Sequence, residues 1–266
     1  MPRTALLALL ATILLLPAGC APRHATLKAG DNALRTGNTW EVNRAVMLAA
    51  EQSNNFGVAL HAGEQELKER PGNDEARILL ARMQSRSGRA EQAMTTLAGV
   101  SAEHASSPEW RLEKARACLA ANQPAETIRE LDALGTDAGQ TQREGRKLRA
   151  VALDLTGDHR AAQETYRALL IEQDDMNVRY NYGRSLVATA DFAEAAAILI
   201  PLADNPDYPQ ARVLASGSLM KSGDAAGARA LLEGYLGRQE IDNLMARGAH
   251  GSKAEQERGK SGKRRK

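Results

Sequence analysis

One register recurs six times along this chain, and it leaves few folds open. A glycine, or a small or turn-prone substitute, stands at Asn54, Gly88, Asn122, Gly157, Ala190 and Gly223, at steps of 34, 34, 35, 33 and 33 residues. Five residues after each comes Ala59, Ala93, Thr127, Ala162, Ala195 or Ala228, and seven before each stands Met47, Ala81, Ala115, Ala150, Gly183 or Ser216. A period of this length marks stacked supersecondary units, each too small to bury its own apolar face. Each copy reads as a helix, a tight turn at the glycine-like position, and a second helix that carries the small residue. Glycine ends the first helix because it accepts positive φ without a Cβ penalty. Asp158, Asp191 and Asp224, directly after their turns, are placed to cap the second helix. The two small columns let paired helices approach closely.

Composition agrees with helices. Hydrophobic residues make up 43 % of the chain but aromatic ones only 3 %, so alanine and leucine, both strong helix formers, have to build the core. No convincing alternating strand is present. Pro71, Pro108 and Pro209 fall near the joins between copies, where one helix ends and another begins. The 35-residue step predicts one loop insertion in the Gly135–Gly145 stretch.

The phased columns resemble the tetratricopeptide repeat over residues 40–237. That resemblance implies an all-α, right-handed superhelical solenoid of about six repeats, whose first helices line a concave groove that holds other proteins. Thr127 departs from the alanine usual in the family, and the family's first-helix tryptophan is missing. Five copies carry Arg77, Arg111, Arg146, Arg179 and Arg212 in its place.

The amino-terminal segment has a different character. Arg3 precedes a twelve-residue apolar run, Ala5 to Leu16, and Pro17-Ala18-Gly19-Cys20 closes it with small residues before a cysteine. This order is that of an export signal, and the run is shorter than the roughly twenty apolar residues that span a bilayer. The Leu16–Cys20 segment resembles the lipobox of bacterial lipoproteins, with Pro17 where a leucine is usual. The resemblance implies that Cys20 is lipidated and anchors the chain to the membrane. Ala21, which is not the aspartate that signals retention, implies an outer-membrane lipoprotein facing the periplasm. The expected layout is a signal peptide over 1–19, the lipidated cysteine and a tether over 20–39, the repeat array over 40–237, and a helix end with a basic, unstructured tail over 238–266.

Site chemistry is sparse. The five histidines are scattered, and no zinc, calcium, phosphate-loop or dinucleotide motif occurs. The reading is therefore of no cofactor, no metal and no enzyme. A net charge of +2 is too small to imply nucleic-acid binding. Glu64 with Glu66, and Asp174 with Asp175, are expected on exposed faces or loops as solvated charges. Cys118 is expected as a small buried hydrophobe. Glu41, Glu75, Glu109 and Glu144 recur where the first helices begin, and complement the helix dipole there.

The candidate partner-binding residues follow from the groove register. Six residues before the turns stand Leu48, Arg82, Arg116, Val151, Arg184 and Gly217, with Arg86 and Tyr180 nearby. Arg82, Arg86, Arg116, Tyr180 and Arg184 either grip carboxylates or a peptide backbone of a partner, or the arginines are solvated or paired with acids of adjacent repeats. The sequence leaves both open. The basic tail suits an anionic lipid, a polyanionic wall polymer or an acidic partner, or is merely solvated.

The length and the stretch from Ala195 to Leu232, a Pro-Leu-Ala run followed by a repeat with a Gly-Asp turn, are similar to the TadD family of tight-adherence (Flp) pilus lipoproteins. This implies a scaffold for pilus or secretion-apparatus assembly with a secretin or other pilus-assembly proteins as partners. The rival readings are a pilotin of another secretion system, an adaptor for cell-wall or outer-membrane assembly enzymes, and an enzyme with an unrecognised site. Oligomeric state is not legible.

Overall fold

The computed structural model describes residues 39–134 and 139–245. The expected signal segment, Cys20, the tether up to residue 38 and the basic tail lie outside the described residues. The described residues form an all-α solenoid of tetratricopeptide-type helical hairpins. The helices are α1 (Thr39–Gln52), α2 (Phe56–Glu69), α3 (Asp74–Arg86), α4 (Ala90–Ala98), α5 (Pro108–Ala120), α6 (Pro124–Asp132), α7 (Gly139–Thr156), α8 (His159–Glu172), α9 (Met176–Ala188), α10 (Phe192–Leu199), α11 (Ala211–Ser222) and α12 (Ala225–Leu232). A short 3-10 turn, Ile200–Leu202, extends α10, and a further helical stretch spans 238–245. Among the described residues the only β pairing is an isolated bridge between Glu233 and Leu236.

Every turn of the six-fold register is left-handed. Asn54, Gly88, Asn122, Gly157, Ala190 and Gly223 have φ of 54°, 79°, 57°, 88°, 64° and 97°. At each, the next residue's amide reaches back five positions to a helix carbonyl: Asn55 to Ala50, Arg89 to Gln84, Gln123 to Cys118, Asp158 to Leu153, Asp191 to Leu186 and Asp224 to Leu219, all at 2.8–2.9 Å. This reverse bond satisfies a carbonyl the helix end would otherwise strand. Asn55, Asp158 and Asp224 then cap the second helix by accepting from Val58, Ala161 and Gly227. Asp191 does not; its carboxylate accepts from the Thr189 hydroxyl at 2.6 Å instead.

The small columns sit where helices meet. Ala59, Ala93, Thr127, Ala162, Ala195 and Ala228 are wholly buried, as are Met47, Ala81, Ala115 and Ala150. A Cβ on Gly183 would collide with the Leu199 side chain, so glycine is what lets α9 and α10 touch. Thr127 fits because its hydroxyl donates to Ala115 and Gln123 carbonyls. Besides packing on its own hairpin partner, each first helix from α1 to α11 touches the next first helix in the array. No pair of second helices packs comparably among the described residues. Curvature follows, with the first helices on the inner face.

Arginine replaces tryptophan in a structural role. Arg111 reaches Glu130 at 3.3 Å, Arg146 is bidentate to Glu172 at 2.6 and 2.7 Å, and Arg212 donates to the Leu231 carbonyl at 2.6 Å. Asn43, the same column in the first copy, donates to Glu66 at 2.9 Å. These contacts tie the first helix of a copy to the far end of its second.

Further expectations are corrected. Asp175 is not simply a solvated charge: it caps α9 by accepting from the Asn177 and Val178 amides at 3.0 and 3.2 Å, and it pairs with Lys147 at 2.6 Å. Glu66 is not an exposed charge: it is fully buried, accepting from Asn43, Arg70 and Asn73 at 2.7–2.9 Å. Burial alone pushes its carboxyl up, but those hydrogen bonds and the Arg70 charge outweigh it and hold it below the ordinary glutamate range. Gly145 lies inside α7, which starts about a turn earlier than the other first helices, so helix takes up part of the long step; residues 135–138 lie outside the described residues. For the same reason Glu144 is not in a first turn. It pairs with Lys147 at 2.7 Å.

Candidate binding groove

The inner face is lined by residues spaced along the first helices. A groove of about 830 Å³ runs past Leu48 and Glu51 of α1, Arg82 and Arg86 of α3, Arg116 of α5, and Glu144, Lys147, Leu148 and Val151 of α7. Asn177, Val178 and Asn181 of α9, with Tyr166 of α8, close it. A second hollow of about 710 Å³ holds Glu75, Glu109, Leu112 and Glu113, and shares Leu48 and Arg82 with the first. The two form one surface from α1 to α9. Glu75, Glu109 and Glu144 therefore face the groove, whatever their effect on the helix dipoles.

The groove brings Arg82, Arg86 and Arg116 together, and each is paired with an acid. Glu51 accepts from Arg82 at 2.8 Å and from Arg86 at 2.6 Å. Arg116 meets Glu113 at 2.8 Å and Glu144 at 3.9 Å. Lys147 joins Glu144 to Asp175 at 2.7 and 2.6 Å. Burial tends to lower the Lys147 pKa, but the Asp175 and Glu144 hydrogen bonds overcome it and raise it. Glu113 is the reverse case: burial lifts its carboxyl above the ordinary range despite Arg116 and Arg82. The amino-terminal half of the groove is thus charged but internally balanced.

Arg184 and Tyr180 stand apart from that cluster. Arg184 opens on an adjoining pocket of about 170 Å³ that shares Val151, Tyr166 and Asn181 with the main groove. Its guanidinium lies 5.9 Å from the Tyr180 ring. Tyr180 does not line the groove; it packs on Tyr208 with centroids 5.3 Å apart, and its hydroxyl donates to Gln210 at 3.2 Å. Lys147, Asn177, Asn181 and Glu51 are groove residues that the reading of one sequence column missed. Asn177 stands in the column of Glu41, Glu75, Glu109 and Glu144, so following that column one copy further would have found it.

The arrangement offers an extended surface rather than an assembled relay of reactive groups. Two Ser/His/Asp groupings are in contact among the described residues. In one, Ser101 Oγ and Asp74 Oδ2 both lie on the same nitrogen, His104 Nδ1, at 3.2 and 3.1 Å, so the imidazole does not stand between serine and carboxylate as a relay. The other has Asp154 at its centre, accepting from Ser185 Oγ at 2.6 Å and lying 2.9 Å from His159 Nδ1. A nucleophilic serine needs the histidine as its direct partner, and here the carboxylate intervenes. Cys118 is fully buried, and burial pushes its thiol up, away from the reactive thiolate. Among the described residues no cluster of metal-ligating side chains occurs, and no helix is long and apolar enough to cross a membrane.

A family model described as tetratricopeptide repeat matches residues 50–112. No curated protein matches the sequence. Among solved structures, the chain is similar to a crystal structure of MamA protein, at 16 % identity and a TM-score of 0.42, covering 71 % of this chain and 96 % of that one. It is also similar to a structure of Naa15/Naa10 bound to HypK-THB, at 15 % identity and a TM-score of 0.35, covering 79 % of this chain and 39 % of that one.

Proposed function

We propose that this chain is a lipid-anchored periplasmic scaffold that holds a protein partner along its inner face during assembly of a tight-adherence pilus or related secretion apparatus. The observation that carries the scaffold is the continuous groove from α1 to α9, lined by one helix from each of five successive repeats. A surface of that extent, polar at its walls and apolar at Leu48, Leu148 and Val151, suits an extended or helical protein segment. The anchor rests on the sequence alone. The charged start, apolar run and Ala18-Gly19-Cys20 ending support lipidation of Cys20, and two or more acyl chains hold a protein on a membrane stably. The pilus rests on the likeness of Ala195–Leu232 to the TadD lipoproteins, with a secretin or pilus-assembly protein as the partner.

A crosslinked pull-down from membranes tests all three parts. Wild type is compared with Cys20→Ser and with the Arg82→Ala/Arg116→Ala/Arg184→Ala triple variant, whose fold is checked by its melting curve. The expected result is a secretin or pilus-assembly protein recovered with wild type, less with the triple variant, and a Cys20→Ser chain released from the membrane fraction. Recovery of wall-synthesis enzymes instead would overturn the pilus assignment, and no partner at all would overturn the scaffold.

A further inference from the structure

The inner face changes character between its two halves, and one residue of register separates Arg184 from the kind of acid that Arg82 meets. Glu51 and Asp154 each stand three residues before their turn, and each bonds the side chain 31 positions further on. For Glu51 that residue is Arg82; for Asp154 it is Ser185. The step from Asn54 to Gly88 is 34 residues and that from Gly157 to Ala190 is 33, so the same reach lands one residue beyond the arginine. Arg82, Arg86 and Arg116 are neutralised, whereas Arg184 has no acidic partner within ion-pair distance among the described residues.

The pocket beside Arg184 has a definite chemistry. Val151, Leu155 and Ala188 offer hydrocarbon, and Asn181 offers an amide with no side-chain hydrogen bond among the described residues. Asp154, the pocket's own carboxylate, is engaged by Ser185 and His159. About 170 Å³ is the scale of a single side chain, and the pocket opens onto the main groove through Val151, Tyr166 and Asn181. A carboxylate on a short methylene stem satisfies each part: its charge meets Arg184, an oxygen accepts from Asn181, and the stem lies against Val151 and Leu155.

We propose that this pocket receives an aspartate or glutamate side chain from an extended segment of the partner protein lying in the groove. The inference rests on the groove as a protein-binding surface and is independent of the pilus assignment. A displayed library of random dodecapeptides is selected on the purified full chain, on Arg184→Glu, and on Arg160→Glu, which alters an exposed charge on α8 away from the groove. Wild type and Arg160→Glu are expected to enrich an acid at a fixed position, and Arg184→Glu to replace it with lysine or arginine. A synthetic peptide from the wild-type pool should bind Arg184→Ala about ten-fold more weakly, the loss of one charged contact, with the melting temperature unchanged. Acid enrichment that persists on Arg184→Glu, or no enrichment on wild type, overturns the pocket. A partner recovered from membranes together with either of those results would leave the scaffold standing and reject the acidic anchor alone.

Discussion

Ala190 is an alanine held at φ 64° in a turn where the equivalent residues are glycine or asparagine. The left-handed conformation costs an L residue with a Cβ roughly 1–2 kcal/mol, and glycine escapes that cost while losing about 0.4–1 kcal/mol through the greater freedom of its unfolded chain. Ala190 is exposed, so deleting its methyl removes little packing. Ala190→Gly is therefore expected to stabilise the array by about 0.5–1 kcal/mol, which raises the melting temperature by ~1–4 °C for an ordered region of this size. Two controls isolate the conformational effect. Gly157→Ala, at φ 88° with nothing within 4 Å of the added Cβ, should destabilise by a similar amount. Ala188→Gly, two residues earlier but still helical, should cost about 1 kcal/mol. Thermal and urea unfolding read all three. Should Ala190→Gly destabilise as much as Ala188→Gly does, strain at the turn is not what sets this column.

Other perturbations follow from the same packing. Gly183→Ala forces a Cβ into Leu199 and should cost about 1–3 kcal/mol, whereas Gly217→Ala, with open space around the new methyl, should stabilise α11 by up to about 1 kcal/mol; urea titration distinguishes them. Glu66, held below the ordinary range, contributes stability that is complete above that range and is lost as acidification passes through its depressed value, so Glu66→Gln should lower stability at pH 7 and flatten the acid limb of a pH–stability curve. Glu113, lifted above the range, has the opposite sign: its ionisation opposes folding as pH rises through the interval between its unfolded and folded values, and Glu113→Gln should not lower stability at pH 7. Cys118 should react with maleimide only as fast as the array opens, and rapid labelling of the native chain would contradict its burial.

The fold was legible because its signals are steric. A left-handed turn selects Gly or Asn at Gly88 or Asn122, and close helix approach selects small residues at Ala81 or Ala162, whatever the rest of the sequence does. Glu66 was misread because a charge between polar neighbours looks solvated; its column elsewhere holds Val100, Leu134, Leu169 and Leu202, which marks the position as interior. The groove was harder still. Whether Arg82 or Arg184 is neutralised depends on an acid about thirty residues away, and a change of one residue in repeat length moves that acid from Arg82's equivalent to its neighbour Ser185. Asn181 carried no signal of its own, because an amide on a helix face looks the same whether it faces a groove or bulk water.

The central claim, that the inner face holds the partner, is tested most directly by site-specific photocrosslinking in the membrane-anchored full chain. A benzophenone side chain is placed at Val151 in the groove or at Ile171, which is 81 % exposed on a second helix. The account predicts a discrete crosslinked protein from Val151 and none, or far less, from Ile171. Crosslinking from Ile171 with none from Val151 would place the partner on another surface and contradict it.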